Sequence, residues 1–378
     1  MPTATRHVGL NAHLLSGRAN YRSAGIHHYL HNLLQHLPAA APDMQLTIFV
    51  GEGDAPAGAN VTVRRSRWPT GQPPVRIAWE QIALPWALAG ERIDLLHSLA
   101  FVSPLIQTCP TVVTVYDLSF VNRPQNFRAF NRAYLRGLTG LSCRRARRVI
   151  AISHSTKRDL IAGYGLPEDR VTVVYPGAEP EFRRLPKKSV ETFRAAQGLP
   201  EDFVLYLGTL EPRKNVDVLV RAFASVKPRG VKLVLAGAPG WHVEEISRAI
   251  EEAGVSDDVI LPGYVSAEEK PLWYNAAQIF VYPSEYEGFG LPVLEALACG
   301  RPVITTNASS LPEVAGDAAW LVPPRNTQAL AGALNDLLAE PARQTDLAAR
   351  GPAQAGKFSW PAAAERTAAV YRRALRGA

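Results

Sequence analysis

Short apolar runs rich in β-branched residues recur along this chain, and segments of helical spacing separate them. In the first half the runs are His7–Leu10, Gln45–Val50, Val61–Val63, Ile93–His97, Thr111–Val115, Val149–Ile152 and Val171–Val174. Between them, Ile26, Leu30, Leu33, Leu34 and Leu37 repeat at helical spacing. Ile77–Leu88 (interrupted near Pro85), Phe127–Arg147 and Ser155–Gly163 read as further helices. The second half repeats the alternation, with runs at Phe203–Leu207, Lys232–Ala236, Val259–Leu261, Gln278–Tyr282, Pro302–Thr305 and Ala319–Leu321. Helices are predicted at Val216–Phe223, Leu291–Ala298 and Pro361–Leu375. Strands joined through helices pair in parallel by right-handed crossovers, so the chain is confined to α/β architectures. The fold predicted is two tandem Rossmann-like doubly wound domains facing each other across a cleft, with a hinge in the proline- and charge-rich Pro180–Lys188.

Length agrees with that reading, since 378 residues supply two sizeable cores. No window approaches the roughly 18–20 uninterrupted apolar residues of a spanning helix. The polar Met1–Arg6 runs straight into a strand, so no secretory leader is expected. Cys109, Cys143 and Cys299 are too scattered for a disulfide framework or a zinc site. They are expected to be small buried or half-buried residues in a reducing compartment, and the expected location is cytoplasmic. The net charge of +7 is uneven: residues 1–180 hold 19 Lys and Arg against 11 Asp and Glu, the remainder 22 against 23. A basic surplus suits nucleic acid, anionic lipid or a phosphorylated substrate. No stacking aromatics are interleaved with it, which ranks nucleic acid last.

Two stretches carry chemistry. Tyr282–Ala296 runs from a buried strand through a turn bearing Gly288 and Gly290 into a helix opened by Leu291 and Pro292. Proline is tolerated in a first helical turn, and the glycines offer backbone N–H groups where the helix end is electropositive. Glu287 stands before the helix and Glu295 two turns inside it, so the corner suits an anion or hydroxyls; glycines alone would equally mark an ordinary βα connection. Gly208-Thr209-Leu210-Glu211-Pro212-Arg213-Lys214-Asn215 follows the strand Phe203–Leu207. Arg213 and Lys214 form a planar fork and a point charge at the mouth of the next helix, which suits a diphosphate; the plainer alternative is two solvated loop cations.

In their order and spacing these stretches resemble the family 4 retaining glycosyltransferases of GT-B fold over nearly the whole chain. The resemblance rests on Glu287-Gly288-Phe289-Gly290-Leu291-Pro292-Val293-Leu294-Glu295, on the Gly208–Asn215 stretch, and on Leu235-Ala236-Gly237. It extends to Pro262-Gly263-Tyr264-Val265, Cys299-Gly300-Arg301-Pro302-Val303-Ile304, Ala24-Gly25-Ile26, Asp94-Leu95-Leu96-His97, Tyr116-Asp117-Leu118-Ser119, Ile152-Ser153 and Tyr175-Pro176-Gly177. It implies an acceptor-side domain at 1–180, a nucleotide-sugar domain at 181–357, and a helix at 358–378 that crosses back to the first domain.

By the same resemblance Glu295 binds the ribose hydroxyls, and Glu287 lies by the donor sugar. Backbone N–H groups of Phe289, Gly290 and Leu291, next to Gly288, approach sugar and phosphate. Arg213 and Lys214, with Gly208 and Thr209 beside them, hold the diphosphate and stabilise the leaving nucleoside diphosphate. Tyr264 and Val265 border the base, and the loop at Gly25 closes the phosphate side. Fixed cations can do what a metal would otherwise do. There is no Asp-x-Asp motif, and neither metal nor cofactor is expected. Retention is implied to proceed by front-face attack through an oxocarbenium-like state.

Family members often carry His-Asp where this chain has Tyr116-Asp117. A tyrosine hydroxyl donates a hydrogen bond to a sugar oxygen but, with a pKa near ~10, is a poor proton carrier at neutral pH. Asp117 either holds an acceptor hydroxyl or caps the following turn. His97 is either a second candidate or a hydrogen-bonded structural residue. The arginine-rich helix Phe127–Arg147 is either a face for anionic lipid or a polyprenyl-diphosphate acceptor, or an amphipathic core helix. Trp68, Trp79 and Trp86 are expected in core or loop packing.

The activity expected is transfer of a hexose, first of all mannose from GDP-mannose, to a glycan or lipid-linked saccharide in surface polysaccharide assembly. Another donor such as UDP-glucose and a catalytically silent nucleotide-sugar-binding protein are the alternatives. Peripheral contact with an anionic membrane surface through the basic first half is expected, and no nucleic-acid partner.

Overall fold

A computed structural model of the chain describes residues 5–15, 24–51, 53–123, 129–226, 230–240 and 243–376. The chain divides into two compact units, one of Met1–Gly177 with Ser359–Ala378, the other of Ala178–Phe358. The division falls a few residues before Pro180–Lys188, and the helix Lys187–Gln197 begins inside that stretch.

Among the described residues the first unit holds a parallel sheet of β1 (Arg6–Asn11), β2 (Met44–Val50), β3 (Val61–Arg65), β4 (Leu95–Ser98), β5 (Thr111–Val115), β6 (Arg148–Ala151) and β7 (Val171–Val173). Their order is β3-β2-β1-β4-β5-β6-β7, so the winding reverses between β1 and β4. β5 is buried along its whole length, as its unbroken Thr-Val-Val-Thr-Val run requires of a strand covered on both faces. The closing helix Trp360–Arg376 packs on the helix Ala24–Ala40: Trp360 meets Tyr29 edge-on at 5.5 Å, and Arg372 binds Asp43 at 2.6 Å. His97, fully buried on β4, hydrogen-bonds Tyr371 Oη at 2.6 Å and Thr114 Oγ1 at 2.8 Å. It is a structural residue tying the last helix to the sheet.

Three local expectations change. The segment around Pro85 is a helix Pro73–Ala78, a π-helical turn Trp79–Ala83 and a helix Leu84–Gly90. Pro85 lacks the N–H that would bond back one turn, and the widened turn precedes it. Trp79 is core, but Trp86 is 80% exposed and Trp68 43%, so neither of the latter two is a packing residue. The long arginine-rich helix is Ala129–Arg145; Phe127 and Arg128 lie outside the described residues.

The second unit's sheet, among the described residues, comprises β8 (Phe203–Leu207), β9 (Lys232–Ala236), β10 (Val259–Gly263), β11 (Ile279–Tyr282), β12 (Val303–Thr306) and β13 (Trp320–Val322). All pairs are parallel, in the order β10-β9-β8-β11-β12-β13. The winding reverses between β8 and β11, which pair through Ile279 with Val204 and Phe280 with Leu205. In an open α/β sheet that reversal leaves a crevice at the carboxyl ends of the two strands. The two stretches singled out in the sequence follow those strands.

Candidate active site

β8 ends in Leu207 and gives way to Gly208, and the chain leaves through Glu211 into a single 3-10 turn, Pro212–Lys214. Asn215 adopts a left-handed conformation (φ 51°) and starts the helix Val216–Phe223; its Nδ2 donates to Pro283 O at 3.0 Å across the crevice. Asparagine tolerates that conformation better than most residues. β11 ends in Tyr282, and the turn through Ser284, Glu287 and Gly288 delivers the chain to Gly290 (φ 111°), which opens the helix Leu291–Ala298. A Cβ on Gly290 would lie 2.7 Å from Leu311 Cδ2, so both backbone angle and space call for glycine.

Glu287 and Lys214 meet at the centre. Lys214 Nζ lies 2.5 Å from Glu287 Oε1 and also contacts Tyr282 Oη. Arg213 Nη1 lies 3.3 Å from Glu287 Oε2 and donates to Tyr286 O at 2.8 Å; its Nη2 binds Glu211 Oε1 at 2.6 Å. Ser284 Oγ donates to Glu287 Oε1 at 2.6 Å, and Tyr282 Oη donates to the same oxygen at 3.2 Å. Ser309 Oγ accepts the Glu287 N–H at 2.8 Å, and Ser310 Oγ contacts the carbonyls of Glu287 and Phe289. Burial favours the neutral acid, but the charges of Lys214 and Arg213 and the hydrogen bonds from Lys214 and Ser284 outweigh it, holding Glu287 at about 2. Burial, with Arg213 nearby, lowers Lys214 from its ordinary value against the opposing pull of Glu287 and Glu211.

Two cations and two carboxylates thus form one buried network whose Arg213 side chain is the more exposed of the cations, at 19% against 8%. Such a network presents fixed, pre-oriented positive charge beside a helix N-terminus. Glu295 sits deeper, 2% exposed, accepting from Tyr274 Oη at 2.7 Å and 3.5 Å from Lys270 Nζ. Thr209 follows Gly208, and its carbonyl accepts from Tyr206 Oη at 2.9 Å. Beyond β10, Tyr264 is 59% exposed while the Val265 side chain is buried.

Glu287 is therefore brought into contact with the adjacent pair Arg213 and Lys214, from which it is distant in sequence. Sequence reasoning missed Glu211, Tyr282, Ser284, Ser309, Ser310, Lys270 and Tyr274. Glu211, Tyr282 and Ser284 lay within the stretches already singled out, but Ser309 and Ser310 carry no local signal.

Candidates on the first unit are placed otherwise. The Tyr116 hydroxyl donates to Leu99 O at 2.7 Å, and its ring packs edge-on against Tyr29 and Phe101. Burial and the neighbouring Tyr29 raise its pKa far above the ordinary value. A hydroxyl engaged inside the core does not serve a sugar oxygen, so the expectation of a reacting Tyr116 is corrected. Asp117 Oδ1 accepts from Ser119 N at 2.8 Å and Ser119 Oγ at 2.6 Å, closing the turn, which is the capping alternative. Gly25 lies exposed in the first turn of the helix Ala24–Ala40 rather than in a loop.

Two family models match the chain: Glycosyltransferase Family 4 over residues 23–182 and Glycosyl transferases group 1 over residues 189–354. O-antigen chain mannosyltransferase B of Escherichia coli is 31% identical over 292 residues, 76% of this chain and 76% of that protein. This chain belongs to the family 4 glycosyltransferases. A D-inositol 3-phosphate glycosyltransferase of Streptomyces bingchenggensis is 34% identical over 61% of this chain but only 54% of its own length. The chain spans less than a third of some longer relatives. Among solved structures, Anabaena HepE in complex with UDP and glucose superposes with a TM-score of 0.74 at 19% identity. That match covers 97% of this chain and 100% of that one. The fold of this glycosyltransferase is accordingly GT-B, two α/β domains with parallel sheets.

Proposed function

We propose that the second unit holds a nucleoside diphosphate sugar at the β8–β11 crevice and that the enzyme transfers its hexose with retention of configuration. The observation that carries this reading is the buried Arg213–Lys214–Glu287 network at the point where the sheet's winding reverses. Breaking a bond between a sugar and a diphosphate leaves positive charge on the sugar carbon and negative charge on the departing phosphate. Arg213 and Lys214 stabilise that phosphate without reorganising, since Glu287, Glu211 and Tyr282 already hold them in place. This is the charge a metal would otherwise supply, and on that ground the transfer is read as metal-independent.

Glu287 stays ionised beside the donor sugar, where an anion favours an oxocarbenium-like carbon and accepts hydroxyl hydrogen bonds. Glu295 holds the ribose hydroxyls, Tyr264 and Val265 border the base, and Gly288–Leu291 meet sugar and phosphate with backbone N–H groups. The leaving phosphate takes the acceptor's proton in front-face attack. GDP-mannose is the first choice of donor, supported by the mannosyltransferase relative, and the acceptor is a growing glycan or a lipid-linked saccharide. The basic first half fits an acceptor presented at an anionic membrane face, with the protein at the cytoplasmic side.

A thermal-shift panel of GDP, UDP, ADP and dTDP, followed by donor-hydrolysis assays, tests the reading. GDP is expected to raise Tm most, and GDP-mannose to be hydrolysed slowly without acceptor. A larger shift with UDP moves the donor to a UDP-sugar. If no nucleotide stabilises the protein, the donor site is elsewhere.

A further inference from the structure

Among the described residues five non-glycine positions adopt left-handed backbone angles: Arg92, Phe101, Asn215, Ser309 and Arg325. Three of the five hold one short turn, Pro283–Glu287, and each comes from a different loop. Asn215, after β8, donates to Pro283 O at 3.0 Å. Ser309, after β12 and at φ 48°, accepts the Glu287 N–H at 2.8 Å. Arg325, after β13 and at φ 57°, closes its guanidinium on the Glu285 carboxylate: Nε donates to Oε2, and Nη2 donates to Oε1 at 3.1 Å. A residue bearing a Cβ takes such an angle at a cost, and positions that retain it gather where a fixed geometry is used.

Arg325 is the outermost of the three. Its side chain is 66% exposed, whereas that of Glu285 is 7% exposed. Exposed ion pairs contribute little as a rule, but a two-pronged fork onto a buried carboxylate fixes direction as well as distance. The backbone that carries the fork is stiff on both sides. Pro323 and Pro324 precede Arg325, and Asn326 after it caps the helix Thr327–Ala339 by accepting the Ala329 N–H at 2.9 Å. Glu285 passes that position on to Arg213. Its N–H donates to Arg213 O at 3.2 Å, and the next carbonyl, that of Tyr286, accepts from Arg213 Nη1 at 2.8 Å. Arg213 is thus held by backbone atoms of a turn whose central side chain is held by Arg325.

We infer that Arg325 is a positioning residue for the transfer: through Glu285 it sets where the Arg213 guanidinium meets the terminal phosphate of the nucleoside diphosphate. The inference rests on the donor reading given above. Calorimetric titration of the full chain with GDP and GMP, and with UDP and UMP, tests it. Wild type is expected to bind one diphosphate more tightly than its monophosphate. Arg325→Gly suits the left-handed angle and removes the fork, and it is expected to weaken that diphosphate about tenfold and the monophosphate less than twofold. A merely structural role would affect both nucleotides alike, so the ratio of the two affinities isolates positioning. Glu285→Gln leaves no buried charge behind and covers the case of an Arg325→Gly protein that fails to fold; it is expected to lose the same ratio. The double variant is expected to lose no more than either single change. An unchanged ratio in either single variant, additive losses in the double variant, or equal binding of diphosphate and monophosphate by wild type overturns the inference and leaves nucleotide binding at the crevice standing. A wild-type chain that binds none of the four nucleotides overturns the donor reading, and the inference with it.

Discussion

The ammonium of Lys214 lies 2.5 Å from a carboxylate oxygen of Glu287, with both side chains about nine-tenths buried and 73 positions apart in the chain. Attraction at that distance in a poorly solvated site only offsets the cost of burying two charges, so such a pair contributes little by itself. Its removal from one side is another matter. Lys214→Ala is expected to lower stability by about 3 kcal/mol, because the buried Glu287 loses its nearer cation and keeps Arg213 at 3.3 Å. It is also expected to lower kcat more than it weakens nucleotide binding, since its charge acts on the departing phosphate. Glu295→Ala, by contrast, is expected to raise the donor KM. Calorimetric nucleotide binding beside single-turnover rates separates the two, and an unchanged kcat in Lys214→Ala would refute its role.

Acid sensitivity follows from Glu287. Its folded pKa of about 2 lies below the ordinary 4.5, so its contribution to stability is fully present above about 4.5 and is lost as pH falls through about 2. The stability gap between wild type and Glu287→Gln should narrow over that window. Urea midpoints measured at successive pH values check this, and a gap that does not change with pH would contradict it.

His97 acts over a higher range. Burial holds its folded pKa at about 3, against 6.5 for the exposed side chain, so the unfolded chain binds a proton that the folded one refuses. Stability should therefore decline as pH drops from about 6.5 toward 3, and His97→Gln should lose part of that slope. The readout is the same series of urea midpoints. Loss of the Tyr371 contact should lower stability at neutral pH as well.

Gly290→Ala meets both a left-handed backbone angle and the Leu311 side chain. A cost of about 1–2 kcal/mol in thermal unfolding is expected, together with weaker nucleotide binding because the turn aims the helix N-terminus. Gly332→Ala, on a helix and with nothing within 4 Å, serves as the control and is expected to be neutral or slightly stabilising.

Tyr116→Phe removes the hydroxyl that satisfies the Leu99 carbonyl. About 1 kcal/mol of stability should go with it, leaving kcat close to that of wild type. A large fall in kcat with Tm unchanged would return Tyr116 to the reaction.

The strand Phe203–Leu207 and the helices Val216–Phe223 and Leu291–Ala298 were legible in the sequence to the residue. Apolar periodicity, Asn215 and Pro292 act within a turn or two of the backbone, so a one-dimensional pattern records them. The chemistry-bearing stretches were legible for the same reason, because glycines at strand ends mark where the backbone must turn. What Glu287 and Lys214 do to each other was not legible. Their contact depends on β8 and β11 lying side by side, which puts the loops after both strands at one crevice. Tyr116 and Trp86 show the same limit in opposite directions. One residue chosen for its hydroxyl is sealed against Leu99, Tyr29 and Phe101, and another taken for packing stands in solvent. Sequence by itself determined most of the elements and marked the two glycine-bearing stretches, because local sterics and periodicity decide them. Only the tertiary structure decided which side chains are buried together, because burial, pairing and ionisation depend on neighbours that the chain brings from far away.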